Sequence, residues 1–395
     1  MKDFLKKYGD KALFVLALVC LAAALSRSEV WRPAEAPGII FTQWWEGDLD
    51  KDTLRVLADE FEALHSGIKV TINYRSYEDL RRDLFSSAET PPPGDLVALD
   101  PLWAPELLGM EIIEEDVTLL SFIDVLYYNV DVLKSAGFSK PPKNRSEFLD
   151  YARTLAGRKE ILPGYVLGLA LGENSTRGIY DDIFPWIWAA GVRLINDGSP
   201  VVNSRQVVES LAFLAALNSE GLIAPDAFRA DAARKLEHFI TGEVAFIITS
   251  TLYITQVRER MGDEAFGITS VPGPDNYFGR PFFAAPGWAF GVHSQSQRKE
   301  EARLFADFFA GKTAVFSEQT GAAPGNSFSL TRDPFYSKVW DIAISGESAR
   351  DFAGLPWTEL EAVFREELRS LFAGRTSPVE AAAAIQEKII EKNEK

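Results

Sequence analysis

Two kinds of apolar pattern alternate early in the chain, and this alternation constrains the fold more than any other feature. The segment 39–43, which begins with the apolar run 39–41, and the apolar run 96–99 are typical of buried strands, and residues 68–74 alternate apolar and polar side chains as a strand does. Between them, leucine and phenylalanine recur at helical spacing over 54–64, and a second helix is predicted around 78–86. Strands and helices that alternate with short loops predict a parallel sheet covered by helices on both faces.

The same alternation continues through the rest of the chain, which has 395 residues and is 47% hydrophobic. Further strands are predicted at 125–128, 244–248, 267–271 and 289–292, and further helices begin near Asn144, Ser204, Gln297 and Ser377. The length suits about two ordinary domains. The pattern therefore predicts the α/β fold class throughout, without a separate all-helical or all-β module.

The balance of charges is strongly acidic, with a formal net charge of −16. Proteins that bind nucleic acid present a basic face to the phosphate backbone, so no nucleic-acid partner is expected. An acidic surface helps to keep an exported protein soluble, and it also suits a cationic ligand.

The N-terminus has the pattern of a secretory signal. Lysines at positions 2, 6, 7 and 11 precede the uncharged apolar run 12–25, which is shorter than the ~20 residues of a membrane span. We expect export to the periplasm or the outer face of the cytoplasmic membrane, with 1–26 as signal peptide or N-terminal anchor and 27–37 as linker. Cys20, the only cysteine, leaves lipidation as an alternative, although 17–19 fits the lipoprotein pattern poorly. A single cysteine excludes an intramolecular disulfide.

Several motifs follow one another in a recognisable order. They include GIIFTQWWEGD, GDLVALDPLWAPEL, LYYNVDVLKSAGF with PPKNRSEFLDYARTL, IFPWIWAAGVRLINDG, GEVAFIIT, VPGPD, GWAFGV and EEARLFADFFAG. With this ordered set the chain resembles the extracellular solute-binding proteins of ABC importers, in the maltose-binding-protein-like carbohydrate group. The resemblance covers almost everything after the N-terminal segment. It implies a periplasmic-binding-protein-like (type II) fold, in which two discontinuous α/β lobes are joined by a hinge and hold the ligand in the cleft between them.

The resemblance also implies lobe boundaries and shows two departures. One lobe is expected to hold 38–125 and 262–311, and the other 126–261 and 312–395. The passage between Met110 and Tyr128 is shorter than in typical members, which removes part of one cleft wall. After GEVAFIIT, where typical members place a glycine and a tryptophan, Tyr253 is the aromatic residue that remains.

Aromatic and acidic residues follow two predicted strands of the first lobe. The candidate binding residues are Trp44, Trp45, Glu46 and Asp48 after the first strand, and Asp100 and Trp103 after the third. Ligands of open parallel sheets lie outside the carboxyl ends of the strands, where rings can stack on sugars and carboxylates can accept their hydroxyl protons. In an extended segment Trp44 and Trp45 point to opposite faces, so one is expected in the cleft and one in the core. For Trp103, cleft lining and core packing both stay open.

The resemblance extends the candidate set to the second lobe and to later strands. The additional candidates are Tyr180, Asp181, Trp186, Tyr253, Arg280 and Trp288. Trp186 is expected to face the cleft from the first turns of a helix, whereas Trp188 is expected in the core. Arg177 lies in a polar loop and is expected to be a solvated surface residue.

Catalysis is not predicted. The three histidines, His65, His238 and His293, are far apart, and no nucleophile elbow, metalloprotease helix or Cys-x-x-Cys motif is present. Paired carboxylates such as Asp181 and Asp182 carry little weight in so acidic a chain. We therefore expect a protein that is not an enzyme and needs neither cofactor nor metal.

The predicted function is that of a monomeric, exported substrate-binding protein that binds a sugar or oligosaccharide and passes it to ABC permease subunits. Membrane tethering at its N-terminus is the alternative to cleavage of the signal. Two alternatives remain open at this stage. A polyamine or other cation would suit the same carboxylates and rings, and a secreted carbohydrate-active enzyme would use paired carboxylates. Because of the shortened lobe, a degenerate relative without a ligand is a further outcome.

Overall fold

Two β-sheets organise the protein, of which this computed structural model describes residues 38–50, 52–87, 90–175, 177–196, 199–284, 287–320, 323–324, 334–349 and 357–393. The strands are β1 (Gly38–Gln43), β2 (Lys69–Tyr74), β3 (Leu96–Leu99), β4 (Ile113–Ser121), β5 (Asp124–Asn129), β6 (Leu167–Gly168), β7 (Ile195–Asn196), β8 (Ser199–Pro200), β9 (Phe246–Ser250), β10 (Phe266–Thr269), β11 (Phe282–Ala284), β12 (Gly287–His293), β13 (Ala323–Pro324) and β14 (Glu347–Ala349).

The sheets are flanked by helices of one to four turns. These helices are α1 (Thr53–Leu64), α2 (Tyr77–Ser86), α3 (Ala104–Gly109), α4 (Val130–Ser135), α5 (Arg145–Ala156), α6 (Gly178–Asp182), α7 (Phe184–Trp188), α8 (Arg205–Ser219), α9 (Ala232–Ile240), α10 (Ile254–Met261), α11 (Lys299–Ala310), α12 (Thr313–Thr320), α13 (Pro334–Ser345), α14 (Trp357–Phe372) and α15 (Pro378–Asn393). Within the described ranges, no helix has the length and hydropathy that a bilayer span requires. The predicted signal segment and Cys20 lie outside the described residues.

The larger sheet has the strand order β13–β4–β12–β3–β1–β2. Strand β1 pairs in parallel with β2 and β3, as the sequence predicts. Strand β12 then runs antiparallel to both β3 and β4, so the sheet is mixed rather than wholly parallel. The sequence does not reveal β4 because three acidic residues, 114–116, interrupt its apolar pattern. These side chains are exposed, and Glu114 pairs with Lys299 and Arg303 of α11.

One apolar core holds the larger sheet and its helices together, and we call this body the first lobe. Phe41 of β1 lies at its centre, where its ring contacts those of Phe290, Phe305 and Phe309 at centroid distances of 5.6 to 5.9 Å. The contacts join β1 to β12 and α11, which are about 250 residues later in the chain. Edge-to-face aromatic packing thus connects the early strands with the returning chain.

The smaller sheet, with the order β10–β5–β9–β6, organises the second lobe. Strand β5 is antiparallel to both β9 and β10, and β6 is parallel to β9. The predicted helix start at Asn144 is present. Its side chain accepts a hydrogen bond from the Glu147 amide at 2.9 Å, and the Glu147 carboxylate accepts one from the Lys143 amide at 2.9 Å.

The chain crosses between the sheets where β4 ends and β5 begins. Beside this crossing Thr251 donates its amide to Ile123 at 2.9 Å, so the end of β9 lies against it. Strand β10 belongs to the smaller sheet, although the predicted boundaries place 262–311 in the first lobe. Likewise β13 pairs with β4 of the larger sheet, beyond the predicted boundary at 311. We therefore propose that the chain returns to the first lobe between β10 and β12 and stays there through β13.

Candidate functional site

A cavity of about 890 Å³ lies between the two lobes. From the first lobe it is lined at the carboxyl ends of β1 and β3 by Trp44, Asp48 and Asp100, and from the second lobe by residues of α6, α9 and the end of β9. Its volume falls within the ~300–1,000 Å³ typical of small-molecule sites. The position at strand ends is the one expected for ligands of α/β sheets.

The adjacent tryptophans Trp44 and Trp45 take different environments because the strand ends before them. Trp44 has φ −116° and ψ −1°, and a 3₁₀ turn follows at Trp45–Asp48. The alternation of an extended strand therefore does not apply here. Trp45 is fully buried and stacks on Trp288 with a centroid distance of 4.8 Å and an interplanar angle of 12°. Trp44 is half-buried and lines the cavity. The side chain of Glu46 lies outside the described residues.

Two aromatic rings, those of Tyr77 and Trp103, pack against the ring of Trp44. Its ring centroid is 5.2 Å from that of Tyr77 and 5.4 Å from that of Trp103, and those two are 4.6 Å apart. Trp103 is 1% exposed and serves as packing, whereas Tyr77 lines the cavity. Tyr77 is absent from the predicted set because a tyrosine in the first turn of a helix carries no signal of its own. Trp288 is 2% exposed and is among the residues that line the cavity.

Asp100 is held rigidly where β3 ends. One carboxylate oxygen accepts the Leu102 amide at 2.9 Å, and the other accepts the Tyr77 hydroxyl at 2.7 Å. The carboxylate is 1% exposed. Burial and then the negative charge of Asp100 raise the pKa of Tyr77 well above its usual value, which keeps this hydroxyl a donor.

Arg177 reaches the same carboxylate from the second lobe. Its guanidinium contacts Asp100 directly, and its Nη2 lies 2.9 Å from Oδ1 of Asp181. It is placed there by the next residue, Gly178, where an added Cβ would lie 1.9 Å from the carbonyl oxygen of Ala170. Only glycine permits so close an approach of α6. The sequence predicts a solvated position for Arg177, but its side chain is 17% exposed and spans the cleft.

A buried ion pair fixes α6 from below. Nζ of Lys235, on α9, lies 2.6 Å from Oδ1 of Asp182 and also donates to the Ile248 carbonyl at 2.7 Å. The other oxygen of Asp182 accepts the Ala170 amide at 2.6 Å. Burial raises the pKa of Asp182 to about 6, against the opposing effect of Lys235. The pair joins α6, α9 and β9, and both of its residues are part of the cavity lining.

Two further carboxyl groups, Asp48 in the cavity lining and Asp124 beside Asp181, have raised pKa values. Burial, and then the charge of Asp181, raise the pKa of Asp124 well above its usual range. Asp48 is accessible through the cavity, but surrounding protein atoms hinder its hydration and raise its pKa to about 6. Among the described residues, no group of three or more acidic, histidine or cysteine side chains is arranged to hold a metal ion.

Of the remaining predicted site residues, some line the cavity and others do not. Asp181 and Tyr253 line the cavity. Trp186 is fully buried, with its ring 5.1 Å from that of Phe148, because both faces of short helix α7 are covered by the second lobe's core. Tyr180 is 2% exposed and lies beneath the Arg177 guanidinium at 5.3 Å. Arg280 points away from the cleft and donates to the Gly346 carbonyl at 2.7 Å.

Comparisons with known proteins agree with this architecture. Residues 47–315 match the model of the bacterial extracellular solute-binding protein family. A probable ABC transporter-binding protein of Deinococcus radiodurans is 25% identical over 285 residues, which span 66% of this chain and 65%, just under two thirds, of that relative.

Solved structures share the fold at lower identity. An ABC transporter solute-binding protein from Thermotoga lettingae, bound with α-D-tagatose, matches with a TM-score of 0.76 and 17% identity, covering 90% of this chain and 99% of that one. A substrate-binding protein from Listeria monocytogenes in complex with cycloalternan matches with a TM-score of 0.75 and 14% identity, covering 91% and 100%.

Two α/β lobes with a cavity at their strand ends define the protein as a type II periplasmic-binding-protein-like fold, as predicted. The family match covers more than half of the chain. The chain therefore belongs to the bacterial extracellular solute-binding protein family.

Proposed function

We propose that this protein is the extracytoplasmic substrate-binding component of an ABC importer, and that it binds a neutral sugar or short oligosaccharide between its lobes. The observation that carries the proposal is the cavity of about 890 Å³, which combines the ring of Trp44 with buried and half-buried carboxylates from both lobes. A sugar offers an apolar ring face for stacking and hydroxyls for carboxylate acceptors.

The mechanism that follows is closure on the ligand. A ligand that contacts Trp44 and Asp48 from one side and Asp181 from the other interacts best when the lobes are together. It therefore shifts the population toward the closed arrangement by its differential affinity. A permease that binds the closed arrangement then receives loaded protein in preference to empty protein. No chemical change of the ligand is part of this mechanism.

Support from relatives is consistent with this ligand class. The matched structures from Thermotoga lettingae and Listeria monocytogenes hold a monosaccharide and a cyclic oligosaccharide, respectively. The Deinococcus radiodurans relative is described as a transporter-binding protein, which supports a permease as partner. Monomeric state and tethering by the N-terminal segment remain predictions.

A second candidate, a polyamine or other organic cation, has one observation in its favour. Among the described residues that line the cavity, eight carry carboxylates and two, Arg177 and Lys235, carry cations. An excess of negative charge raises the local concentration of cations in a cleft. Both cationic side chains are nevertheless already paired with carboxylates of the lining, Arg177 with Asp100 and Asp181 and Lys235 with Asp182, and this pairing favours a neutral ligand.

The test is a thermal-shift and calorimetry panel of neutral mono- and oligosaccharides against putrescine and spermidine. We expect saturable stabilisation by at least one sugar, weakened in Trp44→Ala and unchanged in Arg205→Met, whose side chain is 84% exposed. Stabilisation by polyamines alone would support the second candidate and contradict the first. Release of product from glycans by the purified protein would contradict both. Loss of uptake of the identified ligand on gene deletion would test delivery to a permease.

A further inference from the structure

The side chain of Arg177 spans the cleft, and its surroundings are those of a bound cation. Its guanidinium lies between Asp100 of the first lobe and Asp181 of the second, with the ring of Tyr180 beneath it at 5.3 Å. Two carboxylates and an aromatic face are the groups that recognise an organic cation in a binding site. Here the protein's own side chain supplies the cation.

The site is built rather than incidental. Asp100 is 1% exposed and is oriented by Tyr77 and by the Leu102 amide, so its free lone pairs point toward Arg177. Gly178 brings Arg177 close enough to cross the cleft, and the buried Asp182–Lys235 pair holds α6 in place. Asp124, 3% exposed, adds a further carboxyl group beside Asp181.

We propose that Arg177 determines the specificity of the cleft: its guanidinium occupies a cation site formed by Asp100 and Asp181, links the lobes, and leaves neutral polyhydroxyl compounds as the ligand class. The inference rests on the proposed function for the sugar, but the cation site itself does not depend on it. An exogenous cation finds both carboxylates of this site, Asp100 and Asp181, already paired with Arg177. A neutral sugar does not displace Arg177 from them, and its own contacts with the cleft add to these ion pairs.

The geometry also gives Arg177 a part in closure. When the lobes separate, Asp100 moves away with β3 while Asp181 stays with Arg177 on the second lobe. Opening therefore breaks the Arg177–Asp100 ion pair and exposes a carboxylate that is 1% exposed in this structure. The Arg177–Asp100 ion pair therefore favours closure of the lobes even before a ligand enters. A bound sugar then increases the population of a closed arrangement that the empty protein already adopts.

The experiment asks whether the cation site becomes available when Arg177 is removed. Arg177→Met keeps the apolar stem and loses the charge, and Arg205→Met is the matched surface control. Methylguanidinium chloride is titrated by calorimetry at millimolar concentration, with tetramethylammonium chloride at equal ionic strength as the reference. We expect Arg177→Met to bind methylguanidinium at least tenfold more tightly than the unsubstituted protein, and Asp100→Asn added to Arg177→Met to abolish the gain.

The outcomes separate this inference from the proposed function. Equal methylguanidinium affinity in the unsubstituted protein and in folded Arg177→Met would overturn the inference, whether or not a sugar binds. Failure of every sugar to bind, with the cation gain present, would overturn the proposed function alone. If Arg177→Met does not fold, the Asp100→Asn variant is used instead to test the contact between Arg177 and Asp100. We expect it to lengthen the interlobe distance measured by energy transfer between dyes on α1 and α8, and an unchanged distance would refute the link.

Discussion

Replacing Lys235 by methionine should destabilise the protein because it leaves Asp182 buried without its partner. Lys235 and Asp182 are 2% and 0% exposed, and they are joined by a contact of 2.6 Å. Removing one member of such a pair costs about 3–5 kcal/mol of unfolding free energy, since the desolvated charge that remains is uncompensated. We expect Lys235→Met to lose about this amount at pH 7 in urea unfolding.

The pH dependence makes the prediction specific. The pKa of Asp182 is about 6 in the folded protein, above its ordinary value of 3.8, so the folded state binds more protons between these values. Stability contributed by this group therefore falls as pH rises from about 4 to 6 and is level above. Without Lys235 the folded pKa rises further. Lys235→Met should keep losing stability above pH 6, by up to about 1.4 kcal/mol per pH unit.

Two further variants complete the cycle. Asp182→Asn combined with Lys235→Met removes the charge, so the slope above pH 6 should disappear and the loss should be smaller than the sum of the single losses. Lys392→Met is the exposed control, since Lys392 pairs with Glu359 at 2.7 Å with side chains 40% and 51% exposed. It should cost about 0–1 kcal/mol. A loss below about 1 kcal/mol for Lys235→Met, or strict additivity in the cycle, would refute the reasoning.

Three other predictions follow from the site. Trp45→Ala should cost about 3–5 kcal/mol of unfolding free energy in urea, because its ring is fully buried. Trp44→Ala should cost less stability but weaken sugar binding about tenfold in calorimetry. Equal effects of the two variants on stability and on binding would contradict their separate environments. Sugar affinity should fall as pH drops through about 6, because Asp48 then gains a proton and ceases to be a charged acceptor. Asp48→Asn should remove this pH dependence. If the pH profile is the same in Asp48→Asn, a group other than Asp48 causes it. Gly178→Ala should cost at least about 1–3 kcal/mol, because its Cβ would lie 1.9 Å from the Ala170 carbonyl oxygen, and a native melting temperature would show that α6 can shift.

The periodicity of apolar residues was sufficient to predict the strands and helices of the early part of the chain. Strands β1, β2 and β3 and helices α1 and α2 form where apolar spacing predicts them, since each carries apolar side chains at the period of its own secondary structure. The same reasoning predicts that aromatic and acidic residues after β1 and β3 lie at a ligand site. In the structure Trp44, Asp48 and Asp100 meet at one cavity, because parallel strands end at a common edge.

Periodicity along the sequence was not sufficient to predict the positions of several individual side chains. Side-chain alternation holds only for an extended strand, and the turn at Trp44 ends the strand. Trp45 is nevertheless buried and Trp44 lines the cavity, with the two ring centroids 5.8 Å apart. Trp186 lies on a short helix whose every side is covered, which helical spacing alone does not reveal. Arg280 is polar and near a strand, but its donors turn to the Gly346 carbonyl instead of the cleft.

By itself, the sequence determined the α/β class, the order of the early elements and the strand ends at which a ligand would be sought. These depend on interactions between neighbours along the chain. Tertiary structure decided the antiparallel insertion of β12, the placement of β10 in the smaller sheet and the contact of Arg177 with Asp100. That contact joins residues 77 positions apart. A polar loop arginine looks solvated in sequence, and only the approach of the two lobes removes its water and provides its carboxylate.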